Sequence, residues 1–191
     1  MHGLGFEQEV PPVKPKSSST AGLFLASAQR LLAKQHLPII EKCLHQLSEK
    51  EIWWRPNAAS NSAGNLVLHL CGNVRQWIVS GLGGAEDRRD RDSEFEERGP
   101  ISRKVLVARL RATVREACRA LARLPEDSLS RKHNIQGFHV TGLYAAFHVT
   151  EHFAYHSGQI IYITKLKRAH DLKFTRLPAI KKEADKNRAG L

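Results

Sequence analysis

The spacing of apolar residues constrains the fold of this chain more than any other feature. They recur every three or four positions through long segments, which places them on one face of amphipathic helices. The first three stripes are Leu25, Leu32, Ile39, Ile40, Leu44 and Leu47; Leu66, Leu70, Val74, Trp77 and Ile78; and Leu106, Leu110, Val114, Ala117, Leu121 and Leu124. A fourth helical segment runs from Thr141 to about Lys167. Without a convincing strand pattern, the sequence predicts an all-α fold, an antiparallel four-helix bundle.

Capping and breaking residues set the expected boundaries of these helices. The caps are the polar run before Ala21, Asn61 with Ser62, Ser102 and Thr141. Pro38 falls inside the first helix and is expected to kink or split it, because proline lacks a backbone N–H and crowds the preceding turn. Residues 51–60 are expected to form a connection and the charged residues 85–100 a loop. Residues 126–140 have room for a short hairpin around Gln136 and Gly137.

The domain organisation expected from composition is one bundle with a tail at each end. Residues 1–20 are rich in proline and serine and predict a flexible N-terminal tail. Residues 21–168 form the predicted bundle. Residues 169–191 form a basic C-terminal tail, which contributes to the net charge of +11.

Composition also bears on partners and location. A basic chain raises the question of nucleic-acid binding, but the aromatic ladder of single-strand binders is missing, so nucleic acid is not the expected partner. No apolar run approaches the roughly 18 residues that span a membrane. The three cysteines are Cys43, Cys71 and Cys118. Their odd number and helical surroundings favour reduced thiols in a cytoplasmic protein.

The histidines of the last predicted helix suggest a metal site. His148, His152 and His156 stand four residues apart and share one stripe of the helix. A pair at this spacing can direct two imidazole nitrogens at one ion. His148 and His156 are about 12 Å apart along the axis, so one ion cannot bind all three. The chelating pair is either 148/152 or 152/156.

A third ligand must come from another helix, and His69 is the best candidate. It lies within the second predicted helix, with Asn65 and Asn73 one turn away on the same face. Three histidines leave a coordination position open for a substrate. The alternative is that these histidines are hydrogen-bonded core residues that only brace the helices.

A competing motif is the H-x-x-E-H pattern formed by His148, Glu151 and His152, which is typical of inverted zinc metallopeptidases. Those enzymes need a further ligand well downstream, and the rest of this chain is short and basic. A metal-dependent hydrolase is therefore a lesser alternative. If the chain is not such a hydrolase, Glu151 is a solvated charge on the helix.

Several stretches together resemble the DinB-like superfamily, and within it a bacterial branch. They are residues 53–57 (WWRPN), 60–70 (SNSAGNLVLHL), 72–73 (GN) with Trp77, 89–95 (RDRDSEF) and 152–160 (HFAYHSGQI). The resemblance covers residues 23–166. It implies a four-helix bundle whose metal is held by one histidine of the second helix and two of the fourth. By position these are His69, His152 and His156, with nickel, zinc or iron as the ion.

Similar proteins include bacillithiol transferases, mycothiol-dependent maleylpyruvate isomerase and the thiol-handling half of ergothioneine synthases. The resemblance therefore implies a transferase in which a metal-activated low-molecular-weight thiol attacks an electrophile. It also implies a homodimer that acts on a small molecule. The alternative is a non-catalytic metal-binding or structural bundle.

Further residues near the expected ligands have two interpretations. His148, Asn73, Tyr155 and Gln159 lie within about a turn of them, and either orient a substrate or hydrogen-bond to the ligands. A second group is Arg55, Arg89 and Arg91. These arginines bind an acidic thiol or a substrate carboxylate, or else Arg89 and Arg91 balance the acidic residues of a surface loop.

Overall fold

The structure is a computed structural model that describes residues 18–174, and it is mostly helical. Its elements are α1 (Thr20–Arg30), α2 (Leu37–Gln46), α3 (Glu49–Ile52), α4 (Ala63–Val74), α5 (Arg91–Glu96), α6 (Arg103–Arg123), β1 (Lys132–Ile135), β2 (Phe138–Thr141) and α7 (Gly142–Arg168). Wider π-helical turns join α1 to α2 over Leu31–His36 and extend α4 over Arg75–Ser80. The prediction of a helical protein is confirmed, with a small sheet in addition.

The predicted capping residues begin the long helices. The side chains of Ser19, Ser62, Ser102 and Thr141 each accept a backbone N–H from the first turn of α1, α4, α6 and α7, respectively. At α4 the cap is reciprocal, since the Asn65 side chain also accepts from the Ser62 backbone. These contacts satisfy donors that have no partner within the helix.

Pro38 does not split the first helix, which runs from Thr20 to Gln46 without leaving the helical conformation. The π-helical turns come directly before this proline, and the Leu37 N–H bonds to the Leu32 carbonyl, one residue further back than in an α-helix. A wider turn gives the proline ring room beside the preceding carbonyls, which a regular turn would not.

A short hairpin, one possibility for the ambiguous residues 126–140, lies between α6 and α7. Strands β1 and β2 are antiparallel and pair Ile135 with Phe138 next to the turn. Gln136 and Gly137 both have positive φ, at 57° and 81°. Positive φ at both central residues is the geometry of two-residue hairpin turns, and glycine adopts it without a steric cost.

The prediction of a plain loop over residues 85–100 is wrong. The helix α5 lies within it, begun by Asp90, whose side chain accepts from the Ser93 N–H. Phe95 is the only apolar side chain in α5, so no periodicity could reveal this helix. It packs against α4 and buries Glu94, so tertiary contacts stabilise it.

One core joins the long helices, and α4 lies at its centre in contact with both α6 and α7. Every residue of α4 except Gly72 is buried, including Asn65, His69 and Asn73. Buried polar groups need partners, so the neighbours of these three residues mark the place to look for a site.

Three contacts determine the direction of α7 relative to α4 and its π-helical extension. His69 contacts His152, Asn73 contacts His148, and the Trp77 ring lies 6.4 Å from the Tyr144 ring. Each step of four residues forward on one helix is a step of four backward on the other, so the two run antiparallel. Successive layers are about 6 Å apart along the axis.

The three cysteines are buried and unpaired, as predicted for reduced thiols. Burial raises the pKa of Cys71 to about 12 and that of Cys118 to about 11. Both stay protonated at neutral pH, which makes them poor nucleophiles.

No helix in residues 18–174 is long and apolar enough to cross a membrane. The predicted tails mostly lie outside the described residues. Of the C-terminal tail, residues 169–174 are described, and there Leu172 packs into the core.

Candidate metal centre

The side chains of His69, His152 and His156 converge between α4 and α7. The Nε2 atoms of His69 and His152 are 2.9 Å apart, and those of His152 and His156 are 3.1 Å apart. One ligand atom from each of the three lies within 4.8 Å of the other two. His69 and His156 are buried, whereas His152 is partly exposed, so the cluster lies at the edge of the core.

Two hydrogen bonds determine which nitrogens of the cluster carry protons. The Nδ1 of His156 lies 2.7 Å from Oε1 of Gln159, and the Nδ1 of His69 lies 2.9 Å from Oε2 of Glu94. Both oxygens only accept hydrogen bonds, so both Nδ1 atoms are assigned the proton. The Nε2 atoms of His69 and His156 therefore present lone pairs to the cluster.

The arrangement of donors fits a bound cation. A proton on Nε2 of His152 could satisfy only one of the two lone pairs that face it, and a proton on its Nδ1 would satisfy neither. A metal ion would accept all three lone pairs. Nitrogens bound to one ion at about 2.1 Å are roughly 3.0 to 3.4 Å apart. The two spacings from His152, 2.9 Å and 3.1 Å, are close to this range, and all three ligand atoms lie within 4.8 Å of one another.

The cluster also favours neutral imidazoles, the form that binds metals. Burial, and then the neighbouring His156 and His69, lower the pKa of His152 to about 3. Burial also lowers the pKa of His156, although its bond to Gln159 acts in the opposite direction.

Glu94 is the partner that orients His69, and Arg89 holds it in place. Arg89 donates from Nε to Oε1 and from Nη2 to Oε2 of Glu94, both at 2.8 Å, and from Nη1 to Gln76. Burial by itself would raise the pKa of Glu94, but the hydrogen bonds from Arg89 and His69 outweigh it and lower the pKa. The carboxylate is therefore ionised beneath the imidazole, as in many metal sites.

One further contact bears on the tautomer of His69. Nη2 of Arg89 lies 3.1 Å from Nδ1 of His69. Since arginine only donates, this contact and the one to Glu94 require opposite states of Nδ1. The Glu94 contact is shorter and charge-assisted, so we assign the proton to Nδ1 of His69.

Gly72 makes room for this ion pair against α4. A Cβ built on Gly72 would lie 1.7 Å from Oε1 of Glu94 and 2.8 Å from Nε of Arg89. Only glycine therefore allows the carboxylate to approach the helix closely enough to reach His69.

Asn65 and Arg55 fasten the α5 segment to the start of α4. Nδ2 of Asn65 donates to the carbonyls of Glu94 and Glu97, both at 2.9 Å. Nη2 of Arg55 donates to Oδ1 of Asn65 and to the carbonyl of Phe95. In the structure Arg55 thus contacts protein groups that position α5.

The other residues suggested by the sequence lie around the cluster. Asn73 and His148 form the next layer, with Nδ2 of Asn73 3.5 Å from Nε2 of His148. Tyr155 is 63% exposed and its ring lies 5.1 Å from that of His156. Arg91 is exposed and stacks over Phe95, which itself packs on His69. Of the arginines, Arg89 alone reaches the cluster, through Glu94 and His69.

The sequence did not identify Glu94, Gly72 or Gln76 as parts of the site. The interpretation in which Arg89 and Arg91 only balance the acidic residues of a surface loop makes Glu94 a surface charge, whereas in the structure the side chains of Arg89 and Glu94 are both buried. The only signal was that Glu94 lies in the motif at residues 89–95. No spacing rule relates it to His69, which precedes it by 25 residues on another element.

Comparison with known proteins places the sequence in a family. Residues 19–181 match the DUF1572 family, described as proteins of unknown function. No curated protein matches the chain.

Solved structures share the fold at low identity. A conserved protein from Enterococcus faecalis is 18% identical, with a TM-score of 0.66 over 81% of this chain and 100% of that one. A DinB-like protein from Bacillus cereus is 16% identical, with a TM-score of 0.61 over 83% and 97%. The DinB-like protein YjoA from Bacillus subtilis is 19% identical, with a TM-score of 0.56 over 82% and 96%. The chain therefore belongs to the DUF1572 family, and it shares the fold of DinB-like proteins.

Proposed function

We propose that the chain binds one divalent metal ion, nickel, zinc or iron, on His69, His152 and His156, and that it is a small-molecule enzyme that transfers a low-molecular-weight thiol. The observation that carries the proposal is the convergence of three imidazole nitrogens within 4.8 Å of one another. Glu94 and Gln159 support it, because each orients a ligand with its lone pair toward the cluster.

The chemistry follows from the donor set. A bound divalent ion would act as a Lewis acid that keeps a substrate thiol deprotonated near neutral pH. Three neutral imidazoles add no negative charge, so the site keeps its electrophilic character. The carboxylate of Glu94 raises the basicity of His69 through Nδ1. Tyr155, exposed beside His156, is available to orient the second substrate.

The preference for a thiol over water rests on the sequence resemblance to thiol-handling members of the superfamily. The same resemblance supports an antiparallel four-helix bundle, in which α1 with α2, α4, α6 and α7 would be the four helices. It also supports a homodimer, a prediction that light scattering on the purified protein would test.

The test of the metal site is metal content in matched variants. Protein purified without a histidine tag is expected to hold close to one ion per chain. His152→Ala removes a proposed ligand, so this variant should lose most of the bound metal. His139→Ala changes an exposed histidine of β2, so this variant should retain the metal. Elemental analysis after dialysis gives the stoichiometry. Equal metal content in the two variants would overturn the proposed site.

The principal alternative is a structural cluster that braces α4 against α7 without a metal. The close contacts between imidazoles favour it, because a single N–H shared between nitrogens also holds rings together. Wild-type protein that is free of metal and whose unfolding is unaffected by added zinc would support this alternative. The hydrolase alternative needs His148 and His152 as its ligand pair. The cluster in the described residues instead contains His152 with His156 and leaves out His148, which counts against that alternative.

A further inference from the structure

Two buried polar atoms close to the metal centre lack a hydrogen-bond partner within residues 18–174. They are Oδ1 of Asn73 and Nε1 of Trp77. Both side chains are only 4% exposed. An unpaired buried donor or acceptor is costly to a fold, and most native structures contain few of them. Two of them on adjacent turns of one helix therefore point to a group that binds there.

These atoms belong to the same seam between α4 and α7 as the histidine cluster. Asn73 lies one turn beyond His69, and Trp77 lies one turn beyond Asn73. His148 contacts both, since its Nε2 is 3.5 Å from Nδ2 of Asn73 and its ring lies 4.3 Å from that of Trp77. The unpaired atoms thus begin about 6 Å from the metal ligands, a distance that a small substrate spans.

The chemistry of the two atoms restricts what can bind them. The indole N–H of Trp77 only donates, so its partner must accept. The amide oxygen of Asn73 only accepts, so its partner must donate. A carboxylate has no donor and an ammonium no acceptor, whereas a neutral hydroxyl or carboxamide supplies both.

The far end of the seam is apolar and exposed. Tyr144 is 50% exposed and stacks on His148, and Phe138 is 58% exposed and stacks on Trp77. These rings flank the unpaired atoms on the side away from the metal ligands. They would cover the apolar part of a molecule whose polar group lies beneath them.

We propose that Asn73, Trp77 and His148 form a substrate subsite that binds a neutral hydroxyl or carboxamide of the molecule whose thiol reaches the metal. The proposal rests on the proposed function for the thiol, but the subsite itself is defined by Asn73 and Trp77.

Two probes of equal shape test the subsite in zinc-loaded protein. The first is 3-mercaptopropanamide and the second is 3-methylbutane-1-thiol, which replaces the amide with methyl groups. We expect 3-mercaptopropanamide to bind at least about 10-fold more tightly than 3-methylbutane-1-thiol, because it makes two additional hydrogen bonds. The indole N–H signal of Trp77, assigned with Trp77→Phe, should shift with the amide only. The affinity ratio should fall toward one in both Asn73→Leu and Trp77→Phe. Equal affinities in the wild type overturn the proposal.

Propanamide, which has no thiol, separates the subsite from the proposed function. A saturable shift of the Trp77 signal that is lost in Asn73→Leu supports the subsite even if neither thiol binds the metal, an outcome that would count against the thiol function alone. An unchanged Trp77 signal overturns the subsite. So does the finding that the indole N–H of Trp77 donates to a buried water that the amide does not displace. The far-ultraviolet spectrum of each variant checks that it is folded.

Discussion

Glu94 determines which nitrogen of His69 faces the cluster. Its carboxylate is ionised, buried and tied to Arg89 by two hydrogen bonds, so its position and charge are both fixed. Because it accepts from Nδ1 of His69, the lone pair of that ring is directed at His152. One carboxylate, contributed by neither α4 nor α7, thus sets the orientation of a candidate ligand.

Glu94→Gln should weaken metal binding by roughly 10- to 100-fold, because the amide keeps the shape but removes the negative charge under His69. It also leaves Arg89 buried without a counter-charge, so the free energy of unfolding should fall by roughly 1 to 3 kcal/mol. Competition with a chelator measures the affinity, and urea unfolding measures the stability. The control is Glu151→Gln, which changes an exposed acid next to His152. Similar affinities in the two variants would contradict this role for Glu94.

At the scale of elements, the candidate metal centre depends on a close approach of α5 to α4. Gly72 allows it, because any side chain there would occupy the space of the Glu94 carboxylate. Asn65 and Arg55 hold the same segment by its backbone carbonyls. The short helix α5 is therefore the element that connects residues 85–100 to the histidine cluster.

Gly72→Ala should displace Glu94, cost roughly 1 to 3 kcal/mol through overpacking, and weaken metal binding. Gly158→Ala is the matched control, since it lies on α7 between His156 and Gln159 and its added Cβ meets nothing within 4 Å. Alanine there should stabilise the helix by roughly 0.5 to 1 kcal/mol. Thermal unfolding and zinc titration of both variants provide the measurement. A Gly72→Ala protein that binds zinc like the wild type would show that the approach of α5 is dispensable.

At the scale of the whole molecule, the buried histidines make the metal-free protein sensitive to acid. His152 in the unfolded chain takes up a proton near its ordinary pKa of 6.5, whereas in the fold its pKa is about 3. Between these values the unfolded state binds more protons, so stability falls as the pH falls. Well above pH 6.5 both states are neutral and His152 contributes no pH dependence.

We expect metal-free wild-type protein to lose roughly 1 to 2 kcal/mol between pH 7 and pH 5 through His152 alone, after a discount for its partial exposure. Urea unfolding with a chelator present, at pH 7, 6 and 5, measures this loss. His152→Ala should show a smaller loss over the same range, and His139→Ala should match the wild type. Zinc at neutral pH should add stability by binding only the folded state. Parallel pH profiles for wild type and His152→Ala would refute the conclusion that His152 causes this loss of stability.

The sequence by itself determined the helical class and where the long helices begin, because an apolar period of three to four residues and a polar side chain next to the N–H that it caps are local properties. The spacing of four residues along α7 predicted a histidine pair but left it open between 148/152 and 152/156. The resemblance to DinB-like proteins implied the pair 152/156. His69 was the best candidate for a third ligand, because that ligand had to come from another helix and Asn65 and Asn73 lie one turn away on the same face.

Only the tertiary structure decided the rest. The ion pair of Glu94 and Arg89, the room left by Gly72 and the unpaired atoms of Asn73 and Trp77 depend on which surfaces meet. Contacts between elements distant in sequence leave no period to detect, and α5 has too few apolar residues to show one. A charge on a loop and a charge buried beneath a ligand look alike in a sequence, because burial is a property of the packed molecule.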